Sequence, residues 1–257
     1  MTFMAILNRS FLTKIILSAT LTVPLFSFPF QFDFSSLAGS RMVFDGNDHI
    51  ASSSIGTFQF TRPAPGGALN PNGHDFAISS NYGSWPGGDD VLGDLVGLQG
   101  RILGTFGIQS PIITTGGEQT ANVITAIGPS RLELYNAASL VMTADLAWSS
   151  IQTAGTSGTL NQKSTLNLSN FSCVGPCAGN LAFLASTNTG VATITFQNTS
   201  PQPTLTALTE DGKTTEFRSY SGTATVPEPG FYGILALGLS GLSWIAMRRS
   251  RHQAELS

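Results

Sequence analysis

Leu140-Val141-Met142-Thr143-Ala144-Asp145-Leu146-Ala147-Trp148-Ser149 decides the fold class of this chain. Leu140, Met142, Ala144, Leu146 and Trp148 are apolar and alternate with Val141, Thr143, Asp145, Ala147 and Ser149. Successive side chains of an extended strand point to opposite faces, so a period of two predicts a strand with one buried face. Downstream, Leu166 and Leu168 lead to Phe171 with the same spacing. Leu181 to Ser186 and Val191 to Gln197 flank Thr187-Asn188-Thr189-Gly190, which predicts a hairpin with Gly at the turn. Thr204 to Thr209 and Lys213 to Phe217 flank Glu210-Asp211-Gly212, and Asp-Gly predicts a second hairpin. Ser219 to Val226 reads as a last strand. Upstream, Ile55 to Thr61, Phe76 to Ser80 and Gly100 to Ile108 read as strands, and Thr61 to Gly73 and Gly83 to Gly97 as long surface loops. No helical periodicity of ten residues interrupts this region. The expectation is a mainly β protein: an antiparallel β-sandwich or jelly-roll-like body.

Composition agrees. Only 11% of the 257 residues are charged, and β-branched residues are favoured over Lys and Glu, as strands prefer. Residues 39–225 carry seven basic and twelve acidic side chains, a net charge of −5. No basic patch for nucleic acid is present. The two cysteines stand in Cys173-Val174-Gly175-Pro176-Cys177. This spacing predicts a local structural disulfide in an oxidising compartment, since a redox-active pair is Cys-x-x-Cys and a metal site needs further ligands nearby.

Candidate chemistry within the body is sparse. His74-Asp75 is the one His-Asp pair, and no Gly-x-Ser-x-Gly elbow supplies a nucleophile; in a Gly/Asn-rich stretch it reads as a turn. Asp45-Gly46-Asn47-Asp48, and Asp89-Asp90 with Asp94, cluster oxygens that suit Ca²⁺, but neither has EF-hand spacing and both read first as solvated turns. Tyr82 and Trp85 near Asn81 could stack on sugars or pack a loop. Asn167, Asn170 and Asn198 open acceptor-like tripeptides, which composition alone produces in a chain rich in Ser, Thr and Asn.

Both ends carry targeting signals. Arg9 and Lys14 precede an uncharged apolar run from Ile15 to Phe30, the layout of a secretory signal peptide over residues 1–38. Ser36 and Ala38 fit cleavage before Gly39; Ala38 and Ser40 fit cleavage before Arg41. At the other end, Val226-Pro227-Glu228-Pro229 precedes an uncharged apolar run, Phe231 to Met247, followed by Arg248, Arg249 and Arg251. As a helix the run spans about 25 Å, close to a hydrocarbon core of about 30 Å. Trp244 and the snorkelling arginines cover the deficit. The prolines hold 226–229 extended, which predicts an exposed strip outside the bilayer. The arginines stay cytoplasmic, so the body lies on the far side. A GPI-type signal ends in its hydrophobic tail and lacks a basic stop, and no Leu-Pro-x-Thr-Gly site precedes the run.

Pro227-Glu228-Pro229, the apolar run and the terminal Arg cluster, in that order, resemble the PEP-CTERM sorting signal of exported bacterial proteins. The resemblance is confined to the last thirty or so residues. It implies recognition by an exosortase, a membrane-embedded cysteine transpeptidase-like enzyme, with cleavage near Pro-Glu-Pro. It also implies release or transfer to the cell surface and a link to exopolysaccharide and biofilm. The functional expectation is a non-enzymatic exported surface or matrix protein, handled by translocon, signal peptidase and exosortase. Alternatives are a carbohydrate-binding module, Ca-assisted through Asp89, Asp90 and Asp94; a permanent single-pass anchored protein; and a matrix-polymer hydrolase using His74 or the aspartates.

Overall fold

The computed structural model describes residues 30–49, 54–68, 70–82, 95–153, 162–197 and 203–226. In chain order these form β1 (Phe30–Ser36), β2 (Arg41–Asp45), β3 (Ser54–Thr61), β4 (Phe76–Tyr82), β5 (Gln99–Gln109), β6 (Ile113–Thr115), β7 (Glu118–Asn136), β8 (Ser139–Thr153) and β9 (Gln162–Cys173). Then come α1 (Gly179–Thr187), β10 (Thr189–Gln197), α2 (Leu205–Leu208), β11 (Thr214–Phe217) and β12 (Ser219–Val226).

The deciding stretch is β8, and its alternation is real: Met142, Ala144, Leu146 and Trp148 are buried while Asp145, Ala147 and Ser149 are exposed. A register shift between Trp148 and Ser150 then moves the buried set to Ile151 and Thr153. An extra residue bends a strand and resets its parity.

All pairings are antiparallel, in the order β11-β2-β3-β5-β4-β1-β12-β10-β9-β8-β7-β6. One further pairing, β5 with β7, joins two strands distant in that order. The sheet therefore closes through β5, β4, β1, β12, β10, β9, β8 and β7, and β3, β2 and β11 continue from β5 as a flap. This is the antiparallel β body expected, with a closed ring where an open two-sheet sandwich has edges. Phe32, Phe34, Phe76, Ile102, Leu132 and Leu146 point into the ring and leave an apolar void of about 10 Å³. That holds at most one water, so the ring is a packed core, as eight strands allow. The flap lays its own aromatics over the ring. Phe58 stacks on Phe106 at 5.2 Å and meets Trp148 edge-on at 4.9 Å. Phe44 reaches Phe196 and Phe217 at 5.7 and 5.3 Å.

Three expectations are corrected. First, Leu181 to Ser186 is helix, not a hairpin arm. Buried Asn180, Phe183 and Leu184 lie three to four residues apart, the helical spacing. Asn188 at φ 60 ends α1 in the left-handed conformation that Asn tolerates. Second, Thr204 to Thr209 is the capped turn α2: the Thr204 hydroxyl accepts the Ala207 N–H at 3.2 Å, and Leu205 and Leu208 are buried three apart. The Asp211-Gly212 turn leads into β11, which pairs with β2 instead. Third, the body starts earlier than Gly39. β1 sits between β4 and β12, with Phe30, Phe32 and Phe34 all buried.

β6 and β7 make a hairpin with no counterpart in the expected strands. Gly116 and Gly117 sit at its tip with φ of 60 and 91, both positive as a type I′ turn requires.

Candidate functional site

The expected sorting motif, 226–229, starts at the last residue of the last described strand. Val226 is the last residue of β12 and is paired with Phe30. It is fully buried, which corrects the expectation of an exposed strip from 226: Val226 belongs to the core. Pro227, Glu228, Pro229, the run 231–247, and Arg248, Arg249 and Arg251 lie outside the described residues, as does all of 1–29. Among the described residues no helix is long and apolar enough to cross a membrane.

Cys173 and Cys177 form the expected disulfide, tying the end of β9 to the approach to α1. Asp89, Asp90, Asp94 and Trp85 lie outside the described residues. Tyr82 ends β4 opposite Gln31. In 45–48, Asp45 Oδ1 accepts the Asn47 N–H at 2.9 Å, Asn47 Oδ1 accepts the Gly212 N–H at 2.6 Å, and Asp48 Oδ2 accepts the Thr57 hydroxyl at 3.3 Å. A Cβ on Gly46 would lie 2.2 Å from the Glu210 carbonyl oxygen, so glycine is what lets these two turns touch. Among the described residues no cluster of three or more His, Cys, Asp or Glu could hold a metal.

His74 and Asp75 are not a solvated turn. They are 1% and 0% exposed, and their backbone is held on several sides. The Asn70 amide donates to the His74 carbonyl and accepts the His74 N–H, at 2.8 and 3.0 Å. The Tyr220 hydroxyl donates to the Asp75 carbonyl at 2.7 Å. The reason lies in β5. Its N-terminal residues pair with β4 at Gln99 and Gly100, while its C-terminal half, from Thr105, pairs with β3. Between the two, the Ile102 N–H has no strand partner on that side, and Asp75 Oδ2 accepts it at 2.7 Å. Arg62 donates to the same oxygen at 3.2 Å. The carboxylate substitutes for a missing rung, since a buried N–H left unpaired is costly.

The network continues along the outer face of β5 and β7. His74 Nδ1 donates to Gln99 Oε1 at 2.6 Å, and its ring stacks on Tyr135 at 4.5 Å. The Arg101 guanidinium lies 4.7 Å from the Tyr135 ring centroid. The Tyr135 hydroxyl donates to Glu133 Oε2 at 2.6 Å, and Arg131 pairs with Oε1 at 2.6 Å. Burial lowers the His74 pKa, helped by Arg101 and Arg62 and opposed by Gln99, so the ring is neutral at pH 7. A general acid or base must reach a substrate, and this pair is closed to solvent. The arrangement is a joint that holds β4, β5 and β7 together.

Burial pushes the Asp75 carboxyl up to about 6, against the Ile102 N–H and the two arginines, which lower it. The folded state therefore holds this proton more tightly than the unfolded chain, and the group's contribution to stability falls as pH rises through about 4 to 6. Asp75→Asn keeps an acceptor for Ile102 and has no proton to lose. Between about pH 4.5 and about pH 7.5 its stability relative to the parent is expected to rise by about 2 kcal/mol, read from urea unfolding at the two pH values. A difference that does not change with pH would show that Asp75 is ionised in both states throughout.

A second polar surface lies on the outside of β4, β1, β12 and β10. Ser35, Ser79, Thr193, Thr195, Ser221 and Thr223 line a groove of about 350 Å³ with Asp33. Asp33 Oδ1 accepts the Thr223 hydroxyl at 2.7 Å and Oδ2 accepts the Ser80 hydroxyl at 2.9 Å. The register shift between Asp33 and Phe34 leaves Ser79 without a ladder partner and turns the strand there. Hydroxyls both donate and accept, and the carboxylate keeps lone pairs to spare, so the groove suits an uncharged polyol better than an anion.

No family model, no curated protein and no solved structure matches this chain.

Proposed function

We propose that this is an exported, non-enzymatic surface or extracellular-matrix protein, delivered by an exosortase acting at Pro227-Glu228-Pro229. The observation that carries the reading is the order of the tail: Pro-Glu-Pro, the uncharged run 231–247, then Arg248 and Arg249, directly after the last strand. Three features support it. Val226 ends β12, so a cut at any peptide bond beyond it leaves every described rung of the sheet in place. The Cys173–Cys177 disulfide suits an oxidising compartment. The hydroxyl-lined groove around Asp33 is a surface on which an exopolysaccharide could rest. The partners in this reading are the translocon, signal peptidase, the membrane and the exosortase. Residues 226–229 and the arginines are substrate positions, not catalytic ones.

The test is intact mass of the chain recovered from membrane and medium of an exosortase-containing bacterial host. The parent is expected in the medium without 231–257, and Pro227→Ala with Glu228→Ala is expected to stay in the membrane with the tail attached. A parent that keeps 231–257 throughout would make the run a permanent anchor.

A further inference from the structure

We propose that the export signal is removed at the Ser27–Phe28 bond, upstream of β1, so that the exported body retains Phe30–Ser36. This rests on the export reading above and fixes where its first cleavage falls. The small-residue sites before Gly39 and Arg41 lie on the wrong side of β1. Cleavage at either would remove a strand with six pairs to β12 and six to β4. It would take Phe30, Phe32 and Phe34 out of the core and leave a gap between β4 and β12 in the closed ring. Losing three buried aromatics from one core removes more stability than a marginally stable domain has to spare. A chain cut there has no route to this fold.

The sequence upstream of β1 offers a bond that spares it. Arg9 and Lys14 supply the charged start. Ile15 to Val23 is an uncharged run of nine residues, inside the usual 7–15 for the apolar region. Pro24 then breaks a helical run. Between Pro24 and Phe30 the one small side chain is Ser27, which puts it at the position immediately before the cut, where signal peptidases require a small residue. Leu25, uncharged and aliphatic, stands two residues earlier. Water adds across the Ser27–Phe28 amide, leaving a carboxylate on Ser27 and a free amine on Phe28. The new terminus stands two residues before Phe30, so β1 keeps all its rungs.

The experiment uses the full chain expressed in a bacterial host, with the N-terminus of the exported form read by sequencing and intact mass. The expected terminus is Phe28. Ser27→Tyr is expected to accumulate uncleaved precursor, Ser27→Ala to be processed normally, and Ala38→Asp to be processed as the parent is. A terminus at Gly39 or Arg41, a terminus at any other bond, or a block by Ala38→Asp would overturn the assignment. The C-terminal mass, read in the same spectrum, reports the sorting step separately. A Gly39 terminus with a released tail sinks this inference alone. A Phe28 terminus with a retained tail sinks the exosortase reading alone.

Discussion

Phe58→Ala is expected to destabilise the body by about 3–5 kcal/mol, the range for a large aromatic removed from a closed core. Phe58 is completely buried at the centre of the flap. Its ring contacts Phe44 on β2 at 5.4 Å, Phe106 on β5 at 5.2 Å and Trp148 on β8 at 4.9 Å. The site cannot collapse easily, because three strands in hydrogen-bonded register hold those neighbours apart. Urea unfolding of the disulfide-intact protein measures the loss, with Ile113→Ala as control. Ile113 is 61% exposed on β6 and should change stability by less than about 0.5 kcal/mol. A Phe58→Ala loss as small as the control's would mean that the flap does not pack on the ring.

Glu133→Ala is expected to cost about 3 kcal/mol, the lower end of what breaking a buried pair costs. Glu133 is 4% exposed and holds two partners. Arg131 is 41% exposed along its side chain and can turn to water, which keeps the loss from being larger. Tyr135 cannot: its hydroxyl is left without an acceptor beside Arg101 and His74. Glu133→Gln separates the two contributions, since the amide oxygen still accepts from Tyr135 while the charge opposite Arg131 is gone. Recovery of about half the loss by Gln is the expected result, read by thermal and urea unfolding. Full recovery would show that the charge is immaterial.

The fold class was readable in β8 because one long strand has one face in the core and one in water. The same holds for β3, β4, β9, β10 and β12, each found where alternation or short apolar runs predict it. β1 has equally clear alternation, Phe30-Gln31-Phe32-Asp33-Phe34, but the uncharged apolar run from Ile15, read as a signal peptide, leads directly into it and masks it. β7 also alternates at Leu132 and Leu134, after Gly128-Pro129 interrupts the pattern. The helices failed for a different reason. The short apolar run Leu181 to Ala185 fits either period, and in Thr204 to Thr209 the burial of Leu205 with Leu208 is set by tertiary packing rather than by local preference. The His74-Asp75 pair was visible as a dipeptide. Its meaning was not, because Arg62, Arg101, Glu133 and Tyr135 arrive from remote strands and the orphan N–H of Ile102 exists only once β5 changes partners.

The antiparallel pairing of Phe30 with Val226 has a mechanical consequence. Both ends of the body leave from the same end of two neighbouring strands. Tension applied between those ends loads the β1–β12 rungs one at a time, beginning at Phe30 and Val226, and peels the strands apart like a zipper. The same rungs pulled lengthwise in shear would share the load. A body held by both ends would thus open at a low force, from its tether inward. Held by one end alone and gripped on the Asp33 face, it would not be peeled along this seam. In the export route proposed above, release of one end at the first cleavage, or of the other at the second, would change which of these two regimes the protein experiences.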